Sequence, residues 1–213
     1  MRVGTASLVR APLDRLIEWV AYHLNSGIDE MHLFFDDPGD PGLDLFRDHP
    51  AVHCYACDEE FWKANIPPVR TEPAKKVQEK QFALLWVLLN RQVPDVDWLA
   101  HIDSDELIWA PGDLRPALQR ELRLDVQQVQ MMPAEAVPPR LQMTDPFREV
   151  RLFKEARKDR YALAKRLGVR HPFRGGVFFR GHRQGKPFVR VGRVRYMNAH
   201  GPGPGECLSL IHI

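Results

Sequence analysis

The chain of 213 residues has only three cysteines and no long apolar run. A small, odd number of cysteines argues against a disulfide framework and agrees with a reducing compartment. The longest uncharged apolar run, FALLWVLL, is far shorter than the roughly 18 residues that a membrane span needs. The first residues, MRVGTASLVRAPLDR, lack the apolar stretch of a secretory signal peptide, because Arg10 and Asp14 interrupt it. These absences predict a cytoplasmic protein.

Motifs of several enzyme classes are absent as well. The chain has neither a nucleotide P-loop nor a Gly-x-Ser-x-Gly motif. Cys54 and Cys57 form a Cys-x-x-Cys pair in a predicted strand, and no second pair follows, so a zinc or thioredoxin-like site is not expected. No internal repeat and no low-complexity linker divides the chain. One domain is therefore expected.

The composition, with 44% hydrophobic and 27% charged residues, is that of a globular protein. The net charge of +2 conceals an asymmetry, because residues 151–196 contain 15 Lys or Arg but only Glu155 and Asp159, a net charge of +13 that leaves −11 for the remainder. This division suits an anionic ligand held between a carboxylate-bound metal and cationic side chains. The alternatives are a solvated basic face, or a patch attracted to anionic lipid or nucleic acid.

Strand and helix patterns alternate over most of the chain. Apolar residues recur at helical spacing from Leu13 to Ser26, and Gly27 follows as a stop signal. Further helices are predicted near Leu43–Arg47, Ala74–Asn90, Leu114–Leu122 and Arg160–Leu167. Strands are predicted at Met31–Phe35, Ala51–Ala56, Trp98–Ile102, Val126–Met131, Val177–Arg180 and Phe188–Val191.

This alternation predicts an α/β fold with a mainly parallel sheet flanked by helices. Such sheets bind ligands at the carboxyl ends of their strands, where Asp36 and the sequence Asp103-Ser104-Asp105-Glu106 would lie. We expect a single domain over residues 1–205, with a nucleotide- and metal-binding part at 1–132 and an irregular, basic, acceptor-side part at 133–205. Residues 206–213 have no place in the pattern and are expected to be a non-native or truncated tail.

The carboxylates that follow Trp98–Ile102 are a candidate cation site. About one Asp-x-Asp is expected by chance in such a chain, and this chain has two, at Asp95/Asp97 and Asp103/Asp105. The first pair precedes the strand, whereas the second ends it. Alternate carboxylates at a strand end can turn toward one ion, and their hard oxygen atoms suit Mg or Mn. A solvated turn is the alternative interpretation.

Three phrases of the sequence resemble the family 2-like glycosyltransferases, which have a GT-A fold. LIEWVAYHLNSG is similar to a phrase that opens that domain, and DWLAHIDSDE is similar to the phrase that carries its metal motif. GKPFVRVGRVRYMNAHGP resembles the end of the same group. The resemblance covers most of the chain from Leu8 to Pro202. Its matching residues are Leu16, Glu18, Trp19, Tyr22, His23 and Gly27 in the first phrase, and Asp97, Trp98, Asp103, Asp105 and Glu106 in the second.

The resemblance implies a GT-A-like nucleotide-diphospho-sugar transferase fold and a metal-dependent glycosyltransferase that uses Mn or Mg. It would move a monosaccharide from a nucleotide-diphosphate sugar to a glycan or lipid-linked acceptor, in surface polysaccharide synthesis. Asp105 would be a direct metal ligand, and Asp103 would contact the ribose, the metal or its bound water. Glu106 would orient these groups, and His200 would complete the metal shell.

Other residues are candidates for binding the nucleotide. Asp36 would accept hydrogen bonds from the base, while Lys186 and Arg190 would bind the diphosphate. An inverting transferase would also need a carboxylate base for the acceptor hydroxyl. Glu135 and Asp145 are the candidates, because they lie in the proline-rich stretch beyond the predicted sheet, although no motif supports either.

Two other functional classes stay open. A non-catalytic GT-A-like binding domain is favoured by the turn at Asp36–Gly42, which lacks the Ser and Thr of the family's turn. A nucleic-acid-binding module would use the basic segment, but no interleaved aromatic residues form a recognisable motif there, so a nucleic-acid partner is not expected. The same segment is a candidate for peripheral contact with the inner membrane.

Overall fold

The structure is a computed structural model. It describes residues 1–67, 76–110, 114–123, 126–140, 142–155, 166–168, 185–195, 197–198, 201–202 and 208–211. In chain order its elements are β1 (Val3–Val9), α1 (Leu13–Asn25), β2 (Glu30–Phe35), α2 (Pro41–Phe46), β3 (Val52–Ala56), α3 (Glu59–Ala64), α4 (Val77–Asn90), β4 (Trp98–His101), α5 (Leu114–Arg123), β5 (Gln128–Met131), β6 (Ala134–Val137), α6 (Pro146–Glu149), β7 (Leu152–Glu155), β8 (Lys186–Arg190), β9 (Met197–Asn198), β10 (Gly201–Pro202) and β11 (Leu208–Ile211).

Seven strands form the main sheet, in the order β11-β5-β8-β4-β1-β2-β3. β1 pairs in parallel with β2 and β4, β2 pairs in parallel with β3, and β5 pairs in parallel with β11. β8 runs antiparallel between β4 and β5. The sheet is therefore mainly parallel, and the prediction of an α/β fold with helices flanking such a sheet is confirmed.

Strand β1, which lies between β4 and β2 inside the sheet, has no counterpart among the predicted strands. All seven of its residues are buried, because neighbouring strands and helices cover both faces. A strand buried on both faces lacks the period-two alternation that reveals a half-buried strand. Since β2 and β4 are buried as completely and were predicted, the missing signal of β1 comes from Gly4, Thr5 and Ser7, which interrupt its apolar residues.

Apolar side chains of helix α4 pack against one face of the main sheet. On one face, α4 packs its apolar residues, among them Leu84, Leu85 and Leu88, into a cluster with Phe34 and Leu99. The other face carries Phe35, since successive strand residues point to opposite sides. None of the described helices is both long enough and apolar enough to cross a membrane.

The helix bounds differ slightly from the predicted ones. α1 ends at Asn25, one residue before the predicted end, and Gly27 follows with a φ of 96°. The predicted helix near Leu43–Arg47 begins earlier, at Pro41. The predicted strand at Val177–Arg180 lies outside the described residues, as does most of the predicted helix at Arg160–Leu167.

The chain forms two compact units. The first contains Met1–Met131 and Lys186–Ile213, and the second contains Met132–Gly185. The expected 133–205 part is therefore divided between them. In the second unit, β6 and β7 pair antiparallel in the stretch that was expected to be irregular. In the first unit, Leu208–Ile211 of the expected tail pair with β5 as a parallel edge strand.

Replacing Gly42 with alanine should destabilise the protein by about 1–3 kcal/mol through overpacking. A Cβ atom at this position in α2 would lie 2.7 Å from Cε1 of Phe35 and 3.0 Å from Cδ2 of Leu16. Urea unfolding measures the change. Gly39→Ala is the matched control, because a Cβ atom there meets only the flexible Asp37 side chain, at 3.3 Å. Equal unfolding free energies for the two variants would contradict this packing.

Candidate functional site

Charged side chains gather at the edge of the main sheet where its parallel strands end. Arg10 follows β1, Asp36 follows β2, and Asp103 lies two residues beyond β4. Because these strands are parallel neighbours, their carboxyl ends meet at one edge. Lys186 opens β8, which runs antiparallel to β4, so it begins at this same edge. The four residues share the edge where the sequence pattern predicts ligand binding.

The carboxylate of Asp103 is held by two side chains. Gln81 Nε2 donates a hydrogen bond to Asp103 Oδ1 at 2.6 Å, and Lys186 Nζ donates to Oδ2 at 2.7 Å. His101 Nε2 lies 4.0 Å from Oδ1. Gln81 and Lys186 are both buried, while the Asp103 side chain is 36% exposed. The carboxylate is thus fixed in orientation and still reaches the surface.

The chain makes a tight turn immediately after Asp103. The Glu106 amide donates to Asp103 O at 3.0 Å, and the Asp103 amide donates to Glu106 Oε2 at 3.0 Å. Lys186 Nζ lies 3.3 Å from that same carboxylate oxygen. Burial raises the pKa of the Glu106 carboxyl, while the Lys186 charge opposes this rise and the Asp103 charge adds to it. Asp105 is exposed and has no hydrogen-bond or ion-pair partner within the described ranges.

Asp36 forms a second charged cluster on the same edge. Its carboxylate accepts hydrogen bonds from Arg10 Nε at 2.8 Å, from Arg10 Nη2 and from Lys80 Nζ. The Asp36 side chain is only 7% exposed. Burial opposes ionisation, but the Lys80 and Arg10 hydrogen bonds outweigh it and hold the pKa of Asp36 below its usual range. Lys80 and Gln81 are neighbours on α4, so one helical turn holds both Asp36 and Asp103.

Helix α1 binds the backbone that follows the carboxylates. Trp19 Nε1 donates to Glu106 O at 2.7 Å, and Tyr22 Oη donates to Ile108 O at 2.9 Å. The Ile108 amide donates to His23 Nε2 at 3.2 Å. We call these three α1 side chains the clamp. Its residues all belong to the first phrase of the glycosyltransferase resemblance, and the backbone that they bind continues the second phrase.

The clamp fixes the protonation state of His23. Its Nδ1 lies 2.8 Å from Trp19 O, which can only accept, so Nδ1 carries the proton. Nε2 must then be unprotonated to accept from the Ile108 amide. Burial lowers the pKa of His23 to about 4, although the hydrogen bond to Trp19 opposes this shift. The ring is therefore neutral at physiological pH.

The structure brings only some of the predicted site residues together. Asp103 and Lys186, which are both candidates for the nucleotide site, are in direct contact. Asp36 lies on the same edge within its own cluster. Arg190 lies at the other end of β8, where it pairs with Trp98 at the start of β4. It is therefore separated from Lys186 by the length of the strand. His200 lies outside the described residues.

The two candidate bases lie in the second unit, and both interact with basic residues there. Glu135 Oε2 is 2.7 Å from Lys154 Nζ. Asp145 Oδ1 accepts a hydrogen bond from the Arg148 amide at 3.1 Å, as a cap of α6. Their role as catalytic bases stays a prediction.

The carboxylates after β4 offer the oxygen ligands that Mn and Mg prefer. Asp105 is open to solvent, and the Asp103 side chain is 36% exposed. These donors fit a hard divalent ion held by Asp105 and Asp103. Lys186 already supplies one positive charge at this position, so such an ion would share the carboxylates with an ammonium group.

Sequence analysis did not identify Arg10, Lys80 or Gln81 as parts of the site. Gln81 carried a usable signal, because it is a polar residue at a buried position of α4, whose other buried residues are apolar, and buried polar groups require partners. Arg10 and Lys80 have no comparable signal. Their partner Asp36 is distant in sequence, and only the pairing of β1 with β2 and the packing of α4 bring the three together.

Comparisons with known proteins add little to this geometry. No family model matches the chain, and no curated protein matches it. Among solved structures, it is similar to HddC from Yersinia pseudotuberculosis, with 10% identity and a TM-score of 0.46 over 100% of this chain and 90% of that one. It is also similar to 4-diphosphocytidyl-2C-methyl-D-erythritol synthase from Anaerococcus prevotii, with 10% identity and a TM-score of 0.43 over 99% and 88%. Likeness at this level does not identify an activity.

Asp36→Asn should lower the free energy of unfolding by about 3 kcal/mol at pH 7, because it leaves the mostly buried Lys80 ammonium without its counter-charge. The Lys80 side chain is 14% exposed. Urea unfolding measures the loss. The neighbouring Asp37→Asn is the control, since Asp37 is exposed and caps only the Gly39 amide. A loss of equal size in both variants would show that the ion pairs contribute nothing specific.

The clamp predicts a stability change at mildly acidic pH. The folded-state pKa of His23 is about 4, below the unfolded value of 6.5. The stability due to its neutral form is therefore fully present above pH 6.5 and is lost as the pH falls toward 4. Between pH 7 and pH 5 the expected contribution to this loss is about 2 kcal/mol.

Urea unfolding of His23→Gln at both pH values tests this prediction. Glutamine can both donate and accept a hydrogen bond, but it does not titrate, so the variant should lose about 2 kcal/mol less than the wild type on acidification. His49→Gln, at an exposed histidine, should behave like the wild type. If His23→Gln and the wild type lose the same free energy of unfolding between pH 7 and pH 5, the prediction of a lowered pKa for His23 is wrong.

Proposed function

We propose that this chain is a glycosyltransferase that uses a nucleotide-diphosphate sugar and binds it at the carboxyl edge of the sheet. One observation carries the proposal. Trp19, Tyr22 and His23 from one phrase of the resemblance bind the backbone at Glu106, the last residue of the other phrase, and at Ile108, two residues beyond it. The two phrases are far apart in sequence. A chance similarity gives no reason for them to form one hydrogen-bonded unit, whereas a shared site does.

The charges at this edge suit departure of a nucleoside diphosphate. Negative charge develops on the leaving group as the glycosidic bond breaks, and positioned cationic groups stabilise it. Lys186 Nζ is held at 2.7 Å from Asp103 and 3.3 Å from Glu106. Arg10, whose side chain is 55% exposed, is available to solvent on the same edge. We assign these two cations to the diphosphate in place of the pair Lys186 and Arg190.

The carboxylates would have distinct roles. Asp105 and Asp103 would hold Mn or Mg, which when bound would neutralise charge on the diphosphate. Glu106 orients Asp103 through the Asp103 amide and shares Lys186 with it. The clamp keeps the turn in place, since three α1 side chains bind its backbone. Asp36, which is largely buried, would orient Arg10 and Lys80.

An inverting transfer requires a base that takes the proton of the acceptor hydroxyl. Glu135 and Asp145 stay the candidates for this base, and the acceptor would be a glycan or a lipid-linked sugar. The basic residues between 151 and 196 would favour an anionic acceptor or an anionic membrane surface.

One observation favours a second candidate, a nucleotide-binding domain without metal-dependent turnover. The Lys186 ammonium lies between Asp103 and Glu106, in the position that a cation would be expected to take. A domain of this kind would bind nucleotide through Lys186 and the neighbouring cations alone. It would therefore bind nucleotide equally well with and without a metal ion.

Thermal unfolding with UDP, GDP and dTDP, each with and without Mn, tests the proposal. A ligand at about 100 times its dissociation constant stabilises by roughly 2.7 kcal/mol, a shift of a few degrees for this size of chain. We expect one nucleotide to stabilise the wild type only with Mn, and Asp105→Ala to lose the effect. Asp95→Ala is the matched control, because Asp95 begins the other Asp-x-Asp of the chain and is 96% exposed.

The outcomes separate the two candidates. Stabilisation that requires Mn and Asp105 supports the transferase. Stabilisation that is independent of both supports the binding domain. If none of the nucleotides stabilises the protein, the proposal is wrong and the turn at Asp103 to Glu106 is a solvated turn.

A further inference from the structure

A second polar cluster lies on β2 and β3, nearer their amino ends. Glu30 and His32 are two residues apart on β2 and therefore face the same side of the sheet. His53 on β3 is the parallel neighbour of His32. The two imidazole rings stack with centroids 4.8 Å apart and planes at 17°. The strand register thus places one carboxylate and two imidazoles side by side.

The ligand atoms of this cluster are close enough to share an ion. His32 Nε2 lies 2.8 Å from Glu30 Oε1, and His53 Nε2 lies 3.4 Å from the same oxygen. One ligand atom from each of the three side chains lies within 4.8 Å of the others. Bonds of about 2.0–2.1 Å at tetrahedral angles put the ligand atoms of a zinc site about 3.3 Å apart. The ligand atoms are therefore within reach of one ion, and the stacked rings would have to tilt so that both Nε2 lone pairs point at it.

We propose that Glu30, His32 and His53 bind a divalent transition-metal ion of the zinc class. Two imidazoles and one carboxylate suit zinc, cobalt or nickel better than the hard ions magnesium and calcium. Three protein ligands leave one tetrahedral position for water. The site is separate from the proposed nucleotide site and does not depend on it.

Hydrogen bonds to other side chains already orient two of the three proposed ligands. Tyr55 Oη lies 2.9 Å from His32 Nδ1, and Arg2 Nη2 donates to Glu30 Oε2 at 3.0 Å. Metal-binding histidines commonly use their other ring nitrogen in this way, and metal-binding carboxylates are similarly hydrogen-bonded. Among the described residues, the cluster therefore has both its ligands and the groups that hold them.

For Nε2 of His32 to bind an ion, its proton would have to move to Nδ1 of the same ring, and it need not leave the protein. Nε2 now donates to the Glu30 carboxylate, so Nδ1 accepts from the Tyr55 hydroxyl. When Nε2 binds the ion, the proton moves to Nδ1, which then donates to Tyr55 Oη.

The position of the cluster suggests a structural role for the ion. His32 lies four residues before Asp36, which is roughly 13 Å along the strand. The ion would link β2 to β3, the edge strand of the sheet. Solvent can reach the site through His53, whose side chain is 46% exposed and lines a groove of about 590 Å³. Metal binding should therefore stabilise the folded chain without contributing to sugar transfer.

Titration of the full chain with cobalt(II), followed by visible absorption, tests the proposal. Cobalt in a low-symmetry nitrogen and oxygen site gives absorption bands that the hydrated ion lacks, and zinc should displace it. His53→Gln should weaken cobalt binding about tenfold or more, as expected from the loss of a ligand. This variant should still fold, because His53 is partly exposed. Thermal unfolding should show zinc stabilising the wild type but not the variant.

Two controls separate this site from other sites and from the proposed function. His49→Gln removes an exposed histidine outside the cluster, and Asp105→Ala removes the proposed manganese ligand, so both should bind cobalt like the wild type. His53→Gln should keep any stabilisation by nucleotide and Mn. The proposal is overturned if the wild type gives no site-specific cobalt bands, or if His53→Gln binds cobalt with wild-type affinity.

Discussion

Three hydrogen bonds from α1 hold the backbone that leaves the central strand β4. Trp19 and Tyr22 donate to carbonyl groups of this segment, and His23 accepts from the Ile108 amide. Buried backbone groups need such partners, because an unpaired one costs about 1–3 kcal/mol. The segment is irregular and cannot satisfy itself within the sheet. Hydrogen bonds from α1 therefore stabilise the segment that begins at Glu106, in addition to the hydrogen bonds within the turn at Asp103 to Glu106.

The charges around that turn follow from the same arrangement. Parallel strands end together, so the carboxylates of Asp36 and Asp103 lie along one edge, and each requires a cation when its water is removed. Lys80 and Arg10 supply charge to Asp36, and Lys186 supplies it to Asp103. An edge built this way holds positive charge in fixed positions. The proposed function places the diphosphate against these cations.

Most of the sheet and its helices could be predicted from local patterns, because α1 has an apolar stripe at helical spacing and β2 and β4 are short, largely apolar runs. β1 could not be predicted, since Gly4, Thr5 and Ser7 interrupt its apolar residues, although it is buried no more completely than β2 or β4. The sequence pattern assigns Lys186 and Arg190 to one diphosphate site, but they are the two ends of the five-residue strand β8 and therefore lie at opposite edges of the sheet. The contact of His32 with His53 depends on strand register, which sequence spacing does not reveal.

The central claim, that the turn held by α1 is a metal and nucleotide site, is tested most directly by paramagnetic broadening of backbone amide NMR signals. Substoichiometric Mn would be added with UDP, GDP and dTDP in turn. The account predicts broadening centred on Asp103 to Glu106 and extending to the amide of Ile108, since its effect falls steeply with distance from the ion. Absence of broadening there with all three nucleotides would contradict it.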